Sequence, residues 1–464
     1  MTDISQQFAP FAHKMRAEGL PQIVIATFGY YYKQLAQGQT GFIPENEIEP
    51  VTSLPDADIF GESLVEVGRS ALAHTLILKL NGGLGTGMGL DKAKSLLVIK
   101  NDLTFLDIIA RQAIATGLPL VLMNSFATRA DSLAQLNAYP ELQREDIPLD
   151  FVQHKVPKVA QVDLSPVVWP PEPELEWCPP GHGDIYTALI ISGMLDRLLQ
   201  AGYKYAFVSN ADNLGAVVDP AILGYFVQQR LPFMMEVADR TEADKKGGHL
   251  AQRPNGQLIL RESAQCLPED MAAFQDITRH KYFNTNNLWL HLPTLQRVMA
   301  VKGNILGLPL IRNSKTVDPR DRTSTPVYQL ETAMGSAIAV FEGAGAIRVS
   351  RRRFAPVKTN NDLLAVRSDA YLLTDDYHII PNPERTYADL VIDLDPAYYH
   401  RIDDLEARFP SGAPSLVHCA ELTVKGDVKF GENVIVKGKV RLVNASNRQQ
   451  IVEAGAVLEG ELEL

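Results

Sequence analysis

Two apolar rails near the end of the chain constrain the fold more than any other pattern in it. Leu422, Val428, Val434 and Val440 recur every six residues, and so do Val424, Phe430, Val436 and Leu442. Gly426, Gly431 and Gly438 punctuate the run, and Val452 and Leu458 resume the first phase after a polar stretch from Asn444 to Gln450. A period of six is neither the 3.6 of a helix nor the 2 of a flat strand, and paired rails at that period predict hexapeptide coils of a β-helix. Antiparallel hairpins are the alternative, because Val/Lys alternation also fits ordinary strands. A coil stack ends in an exposed rung, so subunit contacts are expected there.

Upstream the rhythm is different. Residues 1–70 read as helical around the Tyr30-Tyr31-Tyr32 cluster and run into a Pro/Asp-rich connection from Pro50 to Asp58. Thr75 to Leu80 is a short apolar run bounded by glycines, which reads as a buried strand. Leu103 to Ala115 is periodic, with Gly117 as its stop signal, and reads as a helix before a strand from Leu118 to Met123. The alternation continues with a helix from Ile185 to Gln200 and a strand from Tyr205 to Val208. A helix from Pro220 to Gln229 and a strand from Pro232 to Val237 follow. Such alternation predicts an α/β domain with a mainly parallel, Rossmann-like sheet covered by helices on both faces. Ligands of these sheets sit outside the carboxyl ends of the strands, where the glycine loop after Leu80 and the segment Ser209-Asn210-Ala211-Asp212 both fall.

That glycine loop, Leu80 to Gly89, holds five glycines in ten residues. Glycines let a backbone approach a ligand closely, so that successive N–H groups converge on phosphate oxygens. A Walker A loop would end in Gly-Lys-Ser/Thr, whereas this one closes as Lys92-Ala93-Lys94-Ser95. The dinucleotide spacing Gly-x-Gly-x-x-Gly is also absent, which argues against a dinucleotide oxidoreductase. Lys92 and Lys94 would bring positive charge to where phosphates sit.

The bulk numbers set the outer bounds. A chain of 464 residues is too long for one ordinary core, so two or three domains are expected. A net charge of −11 argues against general adhesion to nucleic acid or to an anionic membrane, but not against a small phosphorylated substrate. Cys178, Cys266 and Cys419 form neither a disulfide framework nor a zinc pattern. With no apolar leader and no apolar stretch of about 18 residues, a cytoplasmic protein is expected.

The loop from Leu80 to Gly89, followed by Lys94-Ser95, resembles the nucleotide loop of UDP-glucose pyrophosphorylases of the eukaryotic type. The family usually has Ser where Gly87 stands and Gly-Pro-Lys-Ser where this chain has Lys92-Ala93-Lys94-Ser95. Further segments match in the same order. They are Pro180 to Tyr186, Val208 to Ala216, Lys246-Gly247-Gly248, Phe283 to Trp289, Gln329 to Ala333 and Arg353 to Thr359, with Ala355 replacing the usual Leu. Leu422 to Val428 is similar to the family's C-terminal coil. The resemblance covers about residues 70–464.

It implies a helical segment over 1–70, a catalytic nucleotidyltransferase domain over 71–385 and a left-handed β-helix over 386–464. It also implies a reaction in which UTP and glucose 1-phosphate give UDP-glucose and pyrophosphate. The attacking phosphate oxygen is already anionic, so positioning and charge neutralisation are needed rather than a general base. By the same resemblance, Leu80, Asn81, Gly82 and Gly83 hold the uracil through backbone groups, Gln153 reads its edge, and Gly181 completes the nucleotide site. Lys94 sits on the phosphates and Asp212 binds Mg²⁺. His182, Gly183 and Asn210 contact phosphate or sugar, while Gly248, Asn284, Asn286 and Glu331 face sugar hydroxyls. Lys358 neutralises charge on the glucose-phosphate side, making it and Lys94 the catalytic pair. Arg351-Arg352-Arg353 reads as a solvated basic patch. Other sugar 1-phosphates remain open as substrates, as does a catalytically silent sugar-nucleotide-binding protein. The silent protein predicts departures at Lys94, Asp212 or Lys358, and all three residues are present.

Overall fold

The computed structural model describes residues 4–464 apart from positions 91 and 388. Its centre is a ten-stranded sheet. The strand Thr75–Asn81, apolar along nearly its whole length, lies in the middle and pairs in parallel with Tyr205–Asn210 on one side and Leu120–Asn124 on the other. Asp150–Val152 extends this parallel set. The four strands therefore deliver Gly82, Asp212 and Gln153 to one edge of the sheet.

The middle of the sheet is mostly parallel, as the alternation predicted, and antiparallel strands extend it on one side. Tyr282–His291 is inserted antiparallel between Tyr205–Asn210 and Phe233–Asp239. Its central Asn284-Thr285-Asn286-Asn287 resembles turn chemistry in sequence, but here it is a bulge inside a strand. The register opposite Glu236 and Val237 jumps from Asn287 to Asn284, leaving Thr285 and Asn286 outside the ladder, with Asn286 at a left-handed φ of 58°. Asparagine tolerates that conformation better than most residues.

The predicted helices are present, with one correction. Ile185 to Gln200 forms two helices, Ile185–Ile191 and Met194–Gln200. The break falls where the Ser192 hydroxyl donates to the Ala188 carbonyl (2.6 Å) and Gly193 turns left-handed. Phe105–Thr116 is closed by a capping box from Thr104 and by left-handed Gly117, the stop read in the sequence. At the N-terminus the helices Ile4–Ala17 and Gln22–Ala36 pair through aromatic rings, Phe11 against Tyr32 at 4.8 Å.

The hairpin alternative for the C-terminal region is excluded. Val391–Leu394, Cys419–Lys425, Ile435–Val443 and Val457–Glu463 form one wholly parallel sheet, and Val428–Phe430 pairs in parallel with Gln450–Val452. Every member of both six-residue rails from Leu422 to Leu442 is buried. These coils have no core of their own. Leu422, Val424 and Phe430 belong to one continuous apolar cluster that includes Ile77, Phe105 and Leu122 of the central domain. Among the described residues no helix is long and apolar enough to cross a membrane.

Candidate active site

The site begins with how the glycine loop leaves its strand. The Asn81 side chain turns away from the cleft, donating to Asn124 Oδ1 and Ser132 Oγ, both at 2.8 Å, while its carbonyl accepts from Thr128 Oγ1 at 2.7 Å. This buried network holds the strand end and leaves the backbone after it free to face a ligand. A Cβ on Gly82 would lie 2.8 Å from Gln153 Nε2, so only glycine lets the Gln153 amide approach this backbone. Gly82→Ala is accordingly expected to weaken binding of the ligand of this cleft about tenfold, the scale of one displaced hydrogen-bonding contact, with folding intact. Steady-state kinetics together with a thermal melt checks this.

Beyond Gly83 the chain folds back on itself. The Lys94 amide donates to the Gly83 carbonyl at 3.0 Å, and Gly85 and Gly89 adopt left-handed φ of 65° and 75°. Lys94 Nζ donates to Asp212 Oδ2 at 2.7 Å. The other oxygen, Asp212 Oδ1, is buried without a partner. His182 Nδ1 accepts from the Met334 amide at 2.9 Å, which places the ring proton on Nε2. Burial pushes its pKa down to about 4, so the ring stays neutral at ordinary pH and offers one N–H donor.

These groups share one cleft of about 850 Å³, lined by Leu80, Asn81, Gly82, Gly83, Lys94, Gln153, Gly181, His182, Asn210 and Asp212. Gly183 is buried beneath it, its amide donating to the Thr332 carbonyl at 2.8 Å, so it fastens the His182 turn rather than lining the cleft. Lys92 is exposed on the loop surface.

A second cluster forms around the bulge. Asn284 donates from its amide to Asn286 Oδ1 (2.9 Å) and accepts from the Asn286 amide nitrogen (3.0 Å), while its own backbone donates to Gly248 O (3.1 Å). Asn287, next along the strand, faces the opposite way and is buried on Glu236. The cluster contains a carboxylate that sequence reading missed. A Cβ on Gly248 would lie 2.5 Å from Glu262 Oε2. Burial raises the Glu262 pKa, opposed by a hydrogen bond from Asn284 and by the charge of Lys358. The Lys358 ammonium stands over the rings of Phe283 and Phe354, 5.9 and 5.7 Å from their centroids. Glu331 neighbours Gly181, which lines the cleft. It lies behind Gly181, whose Cβ would come within 3.1 Å of the Glu331 Cβ, and burial raises its pKa against a hydrogen bond with Asn313.

The basic patch Arg351 to Arg353 is not solvated as a unit. Arg353 is half-buried in a two-bond ion pair with Glu236, both bonds at 2.8 Å, and Glu236 also accepts from Trp289 Nε1 (2.9 Å) and Asn287 Nδ2 (3.1 Å). Arg351 pairs with Asp244, and only Arg352 is exposed. The reason lies in the sheet: Glu236 has no solvent exposure, and a buried carboxylate requires a cation. Asn213 then ties the arginine segment to the turn at Asp212. Its side chain donates to the Arg353 carbonyl (3.0 Å) and accepts from the Ala355 amide (3.1 Å), while the Val357 amide donates to Asp212 O (3.2 Å). Lys358 is thereby held at a set distance along the backbone from Asp212. Lys79, likewise buried, donates to Ser209 Oγ and Ala216 O, and burial and the charge of Arg353 lower its pKa to about 7. A lone charge within an apolar strand, as at Lys79 or Glu236, is the signal that could have marked both.

The chain is similar to known proteins over most of its length. The family model for UTP–glucose-1-phosphate uridylyltransferase matches residues 25–437. The probable UTP–glucose-1-phosphate uridylyltransferase of Schizosaccharomyces pombe is 39% identical over 415 residues, covering 87% of this chain and 80% of the relative. The Solanum tuberosum enzyme is 40% identical over 398 residues, covering 84% and 81%. Among solved structures, a mutant UDP-glucose pyrophosphorylase from Leishmania major in complex with UDP-glucose superposes with a TM-score of 0.90 at 44% identity, covering 98% of each chain. A Trypanosoma brucei structure gives 0.90 at 44% identity, covering 99% of this chain and 100% of that one. With the loop, the aspartate and the lysines in place at this likeness, the chain belongs to the UTP–glucose-1-phosphate uridylyltransferase family.

Proposed function

We propose that the cleft binds UTP with its base against Leu80–Gly83 and Gln153 and its phosphates at Lys94 and Asp212. In this reading glucose 1-phosphate binds around Gly248, Asn284, Asn286 and Glu262. The chain catalyses formation of UDP-glucose from these two substrates. A phosphate oxygen of the sugar phosphate attacks the α-phosphorus of UTP in line, and the bond from the α-phosphorus to the bridging oxygen breaks as pyrophosphate leaves. Since the nucleophile is already an anion, the protein's contribution is to bring two polyanions together and spread their charge.

The observation that carries this reading is the Lys94–Asp212 pair. Lys94 is free to exchange its carboxylate for phosphate oxygens, and Asp212 keeps one buried oxygen without a partner. That orphaned oxygen fits Mg²⁺. No group of three or more His, Cys, Asp or Glu side chains that could hold a metal occurs among the described residues, so phosphate oxygens and water would complete the shell. When bound, the ion supplies positive charge on the phosphates. His182 donates from Nε2 to a phosphate oxygen, and Lys358 approaches the sugar phosphate from the far side. Glu331 acts behind Gly181 by shaping the turn that carries His182.

Pyrophosphate release with UTP, scanned over glucose, galactose and N-acetylglucosamine 1-phosphates, tests the assignment. Highest kcat/KM with glucose 1-phosphate supports it, and silence with all of them moves the protein to the binding class. Lys358→Ala is expected to lower kcat by about 10²–10³-fold with a much smaller change in UTP affinity. Equal losses in both would make Lys358 a ground-state contact only.

The same reading places substrate binding on residues 71–385 of a cytoplasmic enzyme and assembly on a left-handed coil over 386–464. Val457 and Ile451 are exposed apolar residues on the last coils. Self-association through them is expected to be lost in Val457→Lys, and a sedimentation profile identical to that of the unaltered protein would count against it.

A further inference from the structure

The turn that carries Asp212 is tied from the interior by a buried lysine. Lys79 lies in the central strand Thr75–Asn81, and the parallel register sets it beside Ser209 of Tyr205–Asn210. Its Nζ donates to Ser209 Oγ (2.7 Å) and to the Ala216 carbonyl (2.9 Å). Ser209 stands three residues before Asp212 and Ala216 four residues after it, so one ammonium holds both ends of the segment on which the aspartate sits. Its charge also acts on the Asp212 carboxylate, which opposes the effect of burial on the lysine. A methionine would fill this place in an apolar strand without the cost of desolvating an ammonium, so what the lysine adds is its bonds and its charge.

The aspartate needs such a hold. Among the described residues its carboxylate has one hydrogen-bonding partner, Lys94, and Oδ1 has none. The main chain around it is fixed at few points: Ala211 N donates to Leu80 O (3.0 Å), Asn213 N to Asn210 O (3.2 Å) and Val357 N to Asp212 O (3.2 Å). When Lys94 exchanges Asp212 for phosphate oxygens, the carboxylate loses that ion pair. The Lys79 bonds survive the exchange, because Lys79, Ser209 and Ala216 are all buried and none of them lines the cleft.

We propose that Lys79 is a positioning residue for the nucleotide-bound state: it holds the turn from Ser209 to Ala216 at both ends, so that the Asp212 carboxylate stays in place for a divalent cation once Lys94 has moved to the phosphates. This rests on the reading of the cleft given above. Lys79 acts only through the turn. Its two effects on a cation at Asp212 have opposite signs. The clamp favours the cation by fixing its ligand, whereas a nearby ammonium repels it. Removing Lys79 therefore weakens cation binding if the clamp dominates and strengthens it if only the charge matters.

Lys79→Met removes the charge and both bonds while nearly keeping the length of the side chain. Mn²⁺ binding to the enzyme–UTP complex, read by electron paramagnetic resonance with no sugar phosphate present, is expected to weaken about tenfold. The kcat for UDP-glucose formation is expected to fall by a similar factor, with the KM for UTP within about threefold of the unaltered enzyme. Ser209→Ala, which keeps the lysine and its other bond, is expected to weaken Mn²⁺ about threefold, the scale of one hydrogen bond. Ser209→Thr keeps the hydroxyl and is expected to restore most of that loss. Should Lys79→Met fail to fold, the two Ser209 variants decide alone. Mn²⁺ held as tightly as in the unaltered complex, or more tightly, by Lys79→Met or by Ser209→Ala overturns the proposal. A loss of UTP affinity equal to the loss of kcat also overturns it. An unaltered protein that binds no UTP overturns the cleft reading itself, which is a separate result from a normal enzyme indifferent to Lys79.

Discussion

Asp212→Asn is expected to lower the rate of UDP-glucose formation by about 10²–10³-fold, the scale of losing a charged group aimed at the reacting phosphates. UTP binding should not fall in parallel. In the free protein the Asp212 carboxylate occupies Lys94 at 2.7 Å, so a UTP phosphate must displace it. An amide competes for Lys94 less well, and UTP affinity measured without Mg²⁺ is expected to hold or improve. The variant should also lose its dependence of rate on Mg²⁺, since Oδ1 is the buried oxygen left open for an ion. A Mg²⁺ titration decides the matter: turnover within tenfold of the unaltered enzyme, with the same Mg²⁺ response, would remove Asp212 from the metal site.

The second large effect is on stability. Arg353→Ala leaves Glu236, which has no solvent exposure, without its two-bond cation, and is expected to cost about 3–5 kcal/mol in denaturant unfolding. Glu236 keeps hydrogen bonds from Trp289 and Asn287, which moderate the loss without cancelling a buried charge. The double variant Arg353→Met, Glu236→Gln removes both charges and is expected to be more stable than Arg353→Ala alone. A double variant as unstable as the sum of its singles would mean the two side chains contribute by packing and not as a pair. Because Asn213 joins this network to the Asp212 turn, Arg353→Ala should also reduce turnover in the fraction that remains folded.

Much of this protein is written locally. The rails at Leu422 to Leu442 specify a stacked coil because only a six-residue rise brings the same side chain inward at each corner. The strand Thr75–Asn81 and the helix Phe105–Thr116 follow from unbroken apolar runs and from end signals such as Gly117. The glycine loop, with Lys94 after it and Asp212 at a parallel strand end, is legible through residue types suited to phosphate chemistry.

Other features depend on contacts across the fold, which no local pattern encodes. The polar run Asn284 to Asn287 becomes a bulged strand because Glu236 and Val237 on the neighbouring strand set its register. Arg353 is drawn inward while Arg352 stays exposed because a carboxylate 117 residues away needs a partner. Glu262 joins the Asn284 cluster only when its carboxylate is brought beside Gly248. Arg401 lies against Gly89 because Asn360 clamps a distant corner beside the glycine loop. The sequence by itself determined the coil period, the strand–helix order and the glycine loop with its lysine, since each depends on neighbours along the chain and on backbone geometry. The tertiary structure alone decided which charges pair in the interior and which residues converge on the cleft, since burying a charge is tolerable only where a distant segment supplies its counterion.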